Sequence, residues 1–317
     1  MTQTTTRPPA AGLRSAVAAS TTPPPAGSPR PQIGAWTLLR LVRETQLARV
    51  YRVCPAVGPS TGDYALKLLR PDRQASPEAV RCWRREAAAG GQVSHPRLLP
   101  VLAAHVAAPP YYLVTPWLEG ATVAERLAAG WRPGVAAALW IARQTAEALA
   151  ALHAAGWMHG DVKPDNVHLS PRGRATLLDL GFARRDGRLA PPLLETQQTD
   201  ATLDRLLLGT AAYLAPEAAA SAAGSDIRAD LYSLGVMLFE LLAGRLPFDD
   251  ADAGQLLRRH CAERPPRLRR IAPGVPREVD EFVRGLLAKQ PLRRPQTPQD
   301  VVRTLTSLEV SAFADRV

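Results

Sequence analysis

The chain has 317 residues, of which 46% are hydrophobic and 21% are charged, and its formal net charge is +10 at pH 7. These proportions are typical of a globular protein with a buried core, and three cysteines without a CxxC pair favour neither a zinc site nor a disulfide framework. The excess of arginine fits nucleic acid, an anionic membrane or acidic substrates, but no basic run is interleaved with aromatic residues, so we expect no nucleic-acid partner.

The first 32 residues predict a disordered tail. They are rich in proline, threonine, serine and alanine, and they contain three arginines and no acidic residue. Such a composition offers too little apolar surface to pack into a core. No hydrophobic stretch near Met1 resembles a secretory signal, and no apolar run reaches the length of a membrane span. We therefore expect a cytoplasmic protein without a membrane span.

Residues 33–118 predict a small lobe made mainly of strands. Apolar and polar residues alternate through 33–56, and YALKLLR, LLPVLAAHV and YYLVTPWL supply further strands. One helix begins at Ser76-Pro77-Glu78, where a capping hydroxyl precedes a proline and an acid in the first turn. We expect this helix to end near Ala89, because Gly90 and Gly91 follow.

Residues 119–310 predict a larger helical lobe, with a short tail at 311–317. Helices are expected at 134–155, from Asp226 onward, at 276–288 and at 298–308. The helix after Asp226 is apolar on most faces and should be buried. A small β-rich lobe beside a helical lobe leaves a cleft between them, where ligands usually bind.

Polar motifs fall where the two lobes should meet. They are YALK with Glu86 nineteen residues after its lysine, HGDVKPDN at 159–166, DLG at 179–181 and GTAAYLAPE at 209–217. In this order they resemble the signatures of the eukaryotic-type Ser/Thr protein kinases of bacteria, from about Ile33 to Leu308. The resemblance implies an α+β, two-lobed protein kinase fold with a β-rich N-lobe and a larger α-helical C-lobe.

The resemblance also implies an activity: transfer of the γ-phosphoryl group of Mg-ATP to Ser/Thr hydroxyls of protein substrates, with autophosphorylation. Asp161 corresponds to the base that accepts the proton of the substrate hydroxyl, and Lys163 would offer a cation to the departing γ-phosphate. Lys67 would pair with the α- and β-phosphates while Glu86 holds it in place. Transient homodimerisation is a further expectation.

Asn166 and Asp179 correspond to the Mg²⁺ ligands of the family, and their oxygens suit a hard cation. The lysines support a working enzyme from within the sequence. The chain has only three, Lys67, Lys163 and Lys289, and arginine supplies its other permanent side-chain cations. Two of the three occupy positions where phosphoryl transfer favours the compact ammonium of lysine over the planar guanidinium of arginine. The three N–H donors of an ammonium can reorient as charge moves.

The resemblance assigns further residues to the nucleotide and to the scaffold. Those expected around the nucleotide are Arg43, Val50, Ala65, Lys67, Thr115, Pro116, Leu118 and His168. Those expected to be structural or regulatory are His159, Thr196, Thr199, Thr202, Thr210, Glu217, Asp230 and Arg294. Within the second set, Thr210 would bridge Asp161 and Lys163, Arg294 would pair with Glu217, and the other three threonines are candidate phosphorylation sites.

The sequence departs from the family at the glycine-rich loop. Its three glycine positions are Arg43, Thr45 and Ala48, although glycine there lets the backbone approach the phosphates. Arg43 would compensate by reaching a phosphate. The alternative is a pseudokinase scaffold with weak or no nucleotide turnover. Gly160 replaces the arginine that usually precedes the base, so we expect activity without strict dependence on phosphorylation of the activation segment.

Overall fold

The computed structural model describes residues 30–58, 61–185, 211–220 and 225–314. The predicted N-terminal tail therefore lies outside the described residues except for its last three positions. The four threonines singled out above, at 196, 199, 202 and 210, also lie outside them. Within the described part of the chain, no helix combines the length and the apolar character that crossing a bilayer requires.

The N-terminal lobe is built on one antiparallel sheet. Its strands are β1 (Gln32–Ile33), β2 (Trp36–Glu44), β3 (Ala48–Pro55), β4 (Tyr64–Leu69), β5 (Ala103–His105) and β6 (Tyr112–Pro116). They lie in the order β1-β2-β3-β4-β6-β5. Leu66 and Leu68 of β4 are buried with Val53 on one face, so alternation turns Lys67 toward the opposite face. Lys67 therefore points away from the hydrophobic cluster formed by Val53, Leu66 and Leu68.

Helix α1 (Pro77–Gln92) packs against this opposite face through Val80 and Trp83. Ser76 caps it as predicted, because its hydroxyl accepts a hydrogen bond from Ala79 N at 3.3 Å. The predicted end near Ala89 was wrong: the helix continues through both glycines. A Cβ at Gly90 would lie 2.5 Å from Val101 Cγ2, so this glycine allows close packing rather than breaking the helix.

The C-terminal lobe is mainly helical. Its helices are α2 (Val123–Ala128), α3 (Val135–Ala154), α4 (Pro216–Ala220), α5 (Ile227–Ala243), α6 (Ala253–Ala262), α7 (Leu268–Ile271), α8 (Arg277–Leu286) and α9 (Pro298–Ala314). Its short strands are β7 (Ala121–Thr122), β8 (Trp157–Met158), β9 (Val167–Leu169), β10 (Ala175–Leu177) and β11 (Arg184–Arg185). Strands β10, β9 and β7 form one antiparallel sheet in that order, and β11 pairs with β8.

Helix α5 is the buried centre of this lobe, as its sequence predicts. Asp226 caps it by accepting the N–H of Arg228 at 2.9 Å, and Gly244 ends it with a φ of 69°. Leu234, Met237 and most of its other apolar residues are fully buried. Helix α5 is therefore held rigidly, and its first turn is a fixed attachment point for neighbouring segments of the chain.

The last helix is longer than predicted. It runs to Ala314 instead of ending near residue 308. Glu309 is 7% exposed, and both of its carboxylate oxygens accept hydrogen bonds from Arg143 Nε of α3, at 2.9 and 3.0 Å. This contact spans 166 residues of sequence, so no local pattern predicts the extra turns.

Candidate active site

Lys67 lies at the centre of an ion triad that joins the two lobes. Its Nζ is 2.8 Å from Glu86 Oε2 of α1 and 2.9 Å from Asp179 Oδ2, which follows β10. Register holds the lysine in place, because β4 pairs Lys67 with Val50 of β3 and with Leu113 of β6. The structure thus brings together three side chains that the sequence separates by up to 112 positions.

Burial and charge set the protonation of this triad. Burial alone lowers the pKa of Lys67, but Asp179 and Glu86 outweigh it and raise the pKa above its ordinary value. Burial raises the pKa of Asp179. The charge and the hydrogen bond of Lys67 outweigh burial, so the pKa falls to about 2. For Glu86 burial prevails and raises the pKa to about 7. At neutral pH the site therefore holds an ammonium beside an ionised Asp179.

The HGDVKPDN motif forms a second polar cluster around Asp161. Lys163 Nζ lies 2.9 Å from Asp161 Oδ2. Asn166 Nδ2 donates to the same oxygen and to the backbone O of Asp161, at 2.8 Å each. Burial raises the pKa of Asp161, and Lys163 opposes that shift. A carboxylate whose pKa moves upward toward neutrality is a better proton acceptor, as general base catalysis requires.

Asp230, in the first turn of α5, holds this loop from below. It is 1% exposed, and its two oxygens accept the N–H groups of His159 and Gly160 at 2.8 Å each. Burial raises the pKa of Asp230, and the two donors oppose that shift. His159 adds a second tie, since its Nε2 lies 2.9 Å from Leu178 O. These contacts fix the backbone that carries Asp161.

Gly160 has a conformational role that sequence reasoning missed. Its φ is 78°, and a Cβ there would lie 2.8 Å from Phe182 O. A side chain at this position would be strained by the left-handed backbone and would collide with the carbonyl oxygen of Phe182. Glycine at this position is therefore required by the local backbone, independently of the arginine that it replaces.

The DLG turn places Asp179 in a strained conformation. Within the described ranges it is the one non-glycine residue with a positive φ, 58°. Gly181 N donates to Asp179 Oδ1 at 3.1 Å and helps to hold it there. Such a backbone costs about 1–2 kcal/mol and persists where surrounding contacts impose it, which is common at functional sites. Leu180, at the position of the family's phenylalanine, is 2% exposed in the core.

Asn166 and Asp179 fit a divalent cation by their chemistry. Asn166 uses Nδ2 for Asp161, which leaves its amide oxygen as an acceptor. Asp179 stays ionised and keeps lone pairs beyond those that Lys67 and Gly181 use. One neutral and one anionic oxygen donor are suitable ligands for a hard cation that retains other ligands.

The residues expected around the nucleotide line both sides of the junction. Ala65 of β4 lies opposite Thr115 of β6, and Thr115 is 8% exposed. Tyr64 pairs with Pro116, and Leu118 follows in the segment that leads to the C-terminal lobe. Ala65 and Thr115 are therefore paired two residues along β4 from Lys67, and Leu118 lies beyond the end of β6.

His168 and Gly120 face each other on the C-terminal side of the junction. His168 lies on β9 and is 9% exposed, and burial lowers its pKa, so the imidazole is neutral at pH 7. A Cβ at Gly120 would lie 2.1 Å from Leu169 O and 2.9 Å from His168 Cε1. Sequence reasoning missed Gly120, although a lone glycine between the predicted lobes is a signal of close backbone approach.

The hairpin between β2 and β3 has none of the family's glycines, and the side chain of Thr45 closes its turn by a hydrogen bond. Thr45 N donates to Ala48 O at 2.8 Å, and Ala48 N donates to Thr45 Oγ1 at 3.0 Å. Leu47 at the tip packs against the N-lobe core beside α1. Arg43 Nη1 lies 3.8 Å from Glu125 Oε1 of α2, so its guanidinium is directed to the other lobe. The amides of Thr45, Leu47 and Ala48 in this hairpin therefore already have partners.

The predicted pair between Arg294 and Glu217 forms. Two guanidinium nitrogens lie 2.6 and 2.7 Å from the two oxygens of Glu217. Arg294 is 3% exposed and also donates to Ala288 O and Arg228 O at 2.8 Å each. A buried bidentate pair of this kind anchors α4 to the segments before α9.

The comparisons with known proteins agree with this geometry. Residues 46–304 match the family model described as the protein kinase domain. The chain belongs to the protein kinase family. Among its relatives, the serine/threonine-protein kinase PrkC of Bacillus subtilis is 30% identical over 268 residues, 84% of this chain. The serine/threonine-protein kinase pkn2 of Myxococcus xanthus is 35% identical over 257 residues, 78% of this chain.

These relatives are longer proteins, since the kinase chain spans 39% of PrkC and 30% of pkn2. Among solved structures, the PknI kinase domain of Mycobacterium tuberculosis matches with a TM-score of 0.66. The match is 24% identical and covers 88% of this chain and 98% of that one. At this identity the likeness shows the fold, and the predicted two-lobed protein kinase fold is confirmed.

Proposed function

We propose that this kinase domain is an Mg-ATP-dependent protein serine/threonine kinase. The observation that carries the proposal is the triad, in which Lys67 Nζ lies 2.8 Å from Glu86 and 2.9 Å from Asp179. Membership of the protein kinase family implies the use of ATP and a divalent metal. The relatives are named as Ser/Thr kinases, and Lys163 stands two residues after the proposed base, as in that class.

Each side chain has one task in this mechanism. Lys67, kept protonated by two carboxylates, binds the α- and β-phosphates, and Asn166 and Asp179 would hold Mg²⁺. A divalent cation held there would supply positive charge to the phosphates. Asp161 accepts the proton of a Ser/Thr hydroxyl, and Lys163, 2.9 Å away, steadies the moving phosphoryl group. The products are a phosphorylated protein and ADP.

The proposal extends to setting and partners. Its partners are protein substrates and ATP, with transient homodimers for autophosphorylation. Its setting is the cytoplasm, which suits the three free cysteines Cys54, Cys82 and Cys261.

The hairpin closed by Thr45 favours a second candidate, a pseudokinase scaffold. Purified protein, Mg-ATP and a basic protein substrate separate the two. Transfer by the wild type that falls about 100-fold or more in Asp161→Asn supports the enzyme. Equal background in both supports the scaffold. A thermal-shift titration with ATP, with and without Mg²⁺, then reports whether nucleotide binds at all, because a ligand of the native state raises its melting temperature.

A further inference from the structure

Helices α7 and α8 and the turn between them line an open cavity of about 510 Å³ on the surface of the C-terminal lobe. Four arginines line it: Arg267, Arg269, Arg270 and Arg277. The remaining charged lining consists of two carboxylates, Asp280 and Glu281. The cavity therefore has an excess of two positive charges, and α7 and α8 carry none of the proposed catalytic residues.

The two carboxylates already have donors. Asp280 is 3% exposed and accepts the N–H of Leu268 at 2.9 Å. Glu281 accepts a hydrogen bond from Arg277 Nε at 2.7 Å. The other three arginines are exposed, and among the described residues no carboxylate lies within 4.0 Å of them. Like charges in one cavity repel each other unless an anion is bound between them.

We propose that this cavity docks an acidic segment of a protein partner. Guanidinium forks bind carboxylates in a bidentate manner, and Arg clusters recognise acidic motifs. Three arginines lie on or just before α7 and the fourth begins α8, so the positive charge extends over two elements. This spread fits a run of Asp and Glu side chains better than one compact ion.

The charges and the lining argue against two other occupants. Single-stranded nucleic acid binds where bases stack on aromatic rings, and no aromatic side chain lines the cavity. The first 32 residues of this chain contain no acid, so they cannot supply the segment. Docking would raise the effective concentration of a substrate near the active site. That consequence rests on the proposed function, whereas the binding itself does not.

The test is fluorescence anisotropy with the full chain and no nucleotide. The probe is a labelled peptide with eight glutamates, compared with a peptide in which glutamines replace them. The double variant Arg269→Gln/Arg270→Gln is matched by Arg172→Gln/Arg174→Gln, which removes the same charge from the exposed β9–β10 turn. We expect the first to weaken glutamate-peptide binding about tenfold and the second less than about twofold, since localised charge-assisted contacts exceed diffuse attraction.

Two results would overturn the proposal. Equal loss in the two double variants would mean that net charge alone attracts the peptide. Single-stranded RNA of equal charge that binds more tightly, and loses its binding in Arg269→Gln/Arg270→Gln, would assign the cavity to nucleic acid. Melting temperatures establish that each variant folds. If Arg269→Gln/Arg270→Gln does not fold, the single variants Arg270→Gln and Arg172→Gln are compared instead. Equal loss of peptide binding in these two would overturn the proposal in the same way.

Discussion

Lys67 Nζ lies 2.9 Å from Asp179 Oδ2, and this contact ties the N-lobe sheet to the turn after β10. Lys67→Met would leave Asp179 and Glu86 without their cation. We expect phosphoryl transfer to fall about 100-fold or more, because the phosphates lose a preorganised charge. Lys289→Met is the control: its Nζ donates to His260 O at 2.6 Å, so its loss should lower the melting temperature and leave transfer by the folded protein near normal. Similar kinetic losses in both variants would contradict a role for the triad in transfer.

Thr45 decides whether the hairpin amides are available to phosphate. Its hydroxyl accepts the N–H of Ala48 at 3.0 Å. Thr45→Gly releases that donor and allows the backbone to approach a ligand, so we expect ATP to bind about 3–10-fold more tightly, the value of one hydrogen bond. Thr45→Ser keeps the hydroxyl and should bind ATP like the wild type. Titration calorimetry with Mg-ATP measures both, and weaker binding by Thr45→Gly would refute this view of the loop.

Gly160 and Gly173 separate backbone strain from steric contact. Both are left-handed, with φ of 78° and 76°. A Cβ at Gly160 meets Phe182 O at 2.8 Å, whereas a Cβ at Gly173 meets nothing within 4 Å. We expect Gly173→Ala to cost about 1 kcal/mol of unfolding free energy and Gly160→Ala about 1–3 kcal/mol more. Urea unfolding measures both. Equal losses of unfolding free energy in the two variants would show that the contact with Phe182 O does not affect stability.

His260 makes stability depend on pH. Burial, with a smaller effect of Lys289, lowers its pKa from 6.5 to about 4. Between these values the unfolded chain binds a proton that the native protein does not, so the free energy of unfolding falls as pH decreases from 6.5 toward 4. The loss approaches about 3 kcal/mol at the acid end.

His260→Gln should remove this part of the pH dependence, although it costs stability at pH 7 by breaking the 2.9 Å contact with Tyr232. The measurement is urea unfolding of wild type and variant at several pH values between 7 and 4. His105→Gln, at a half-buried position on β5 of the other lobe, is the reference for substituting any histidine. A wild-type slope that survives in His260→Gln would assign the acid sensitivity to other groups.

The proposed catalytic groups and the helix starts were accessible from the sequence because each depends on a few adjacent residues. Asp161, Lys163 and Asn166 lie within one loop, and the caps at Ser76 and Asp226 act within one turn. Four helices of the C-terminal lobe, α2, α4, α6 and α7, were missed, although Thr122-x-x-Glu125 caps α2 and Asp252 caps α6. The signals of α2 and α6 were present and local.

The amino-acid sequence by itself determined the family and the order of the lobes, and it supplied the polar groups that we propose for phosphoryl transfer. Tertiary structure decided the passage of α1 through Gly90, the extension of α9 along α3, the pairing of Arg43 with Glu125 and the arginine cavity between α7 and α8. The physical reason is range. Caps and motifs act over a few bonds, whereas these four features depend on side chains that meet only after the chain has folded.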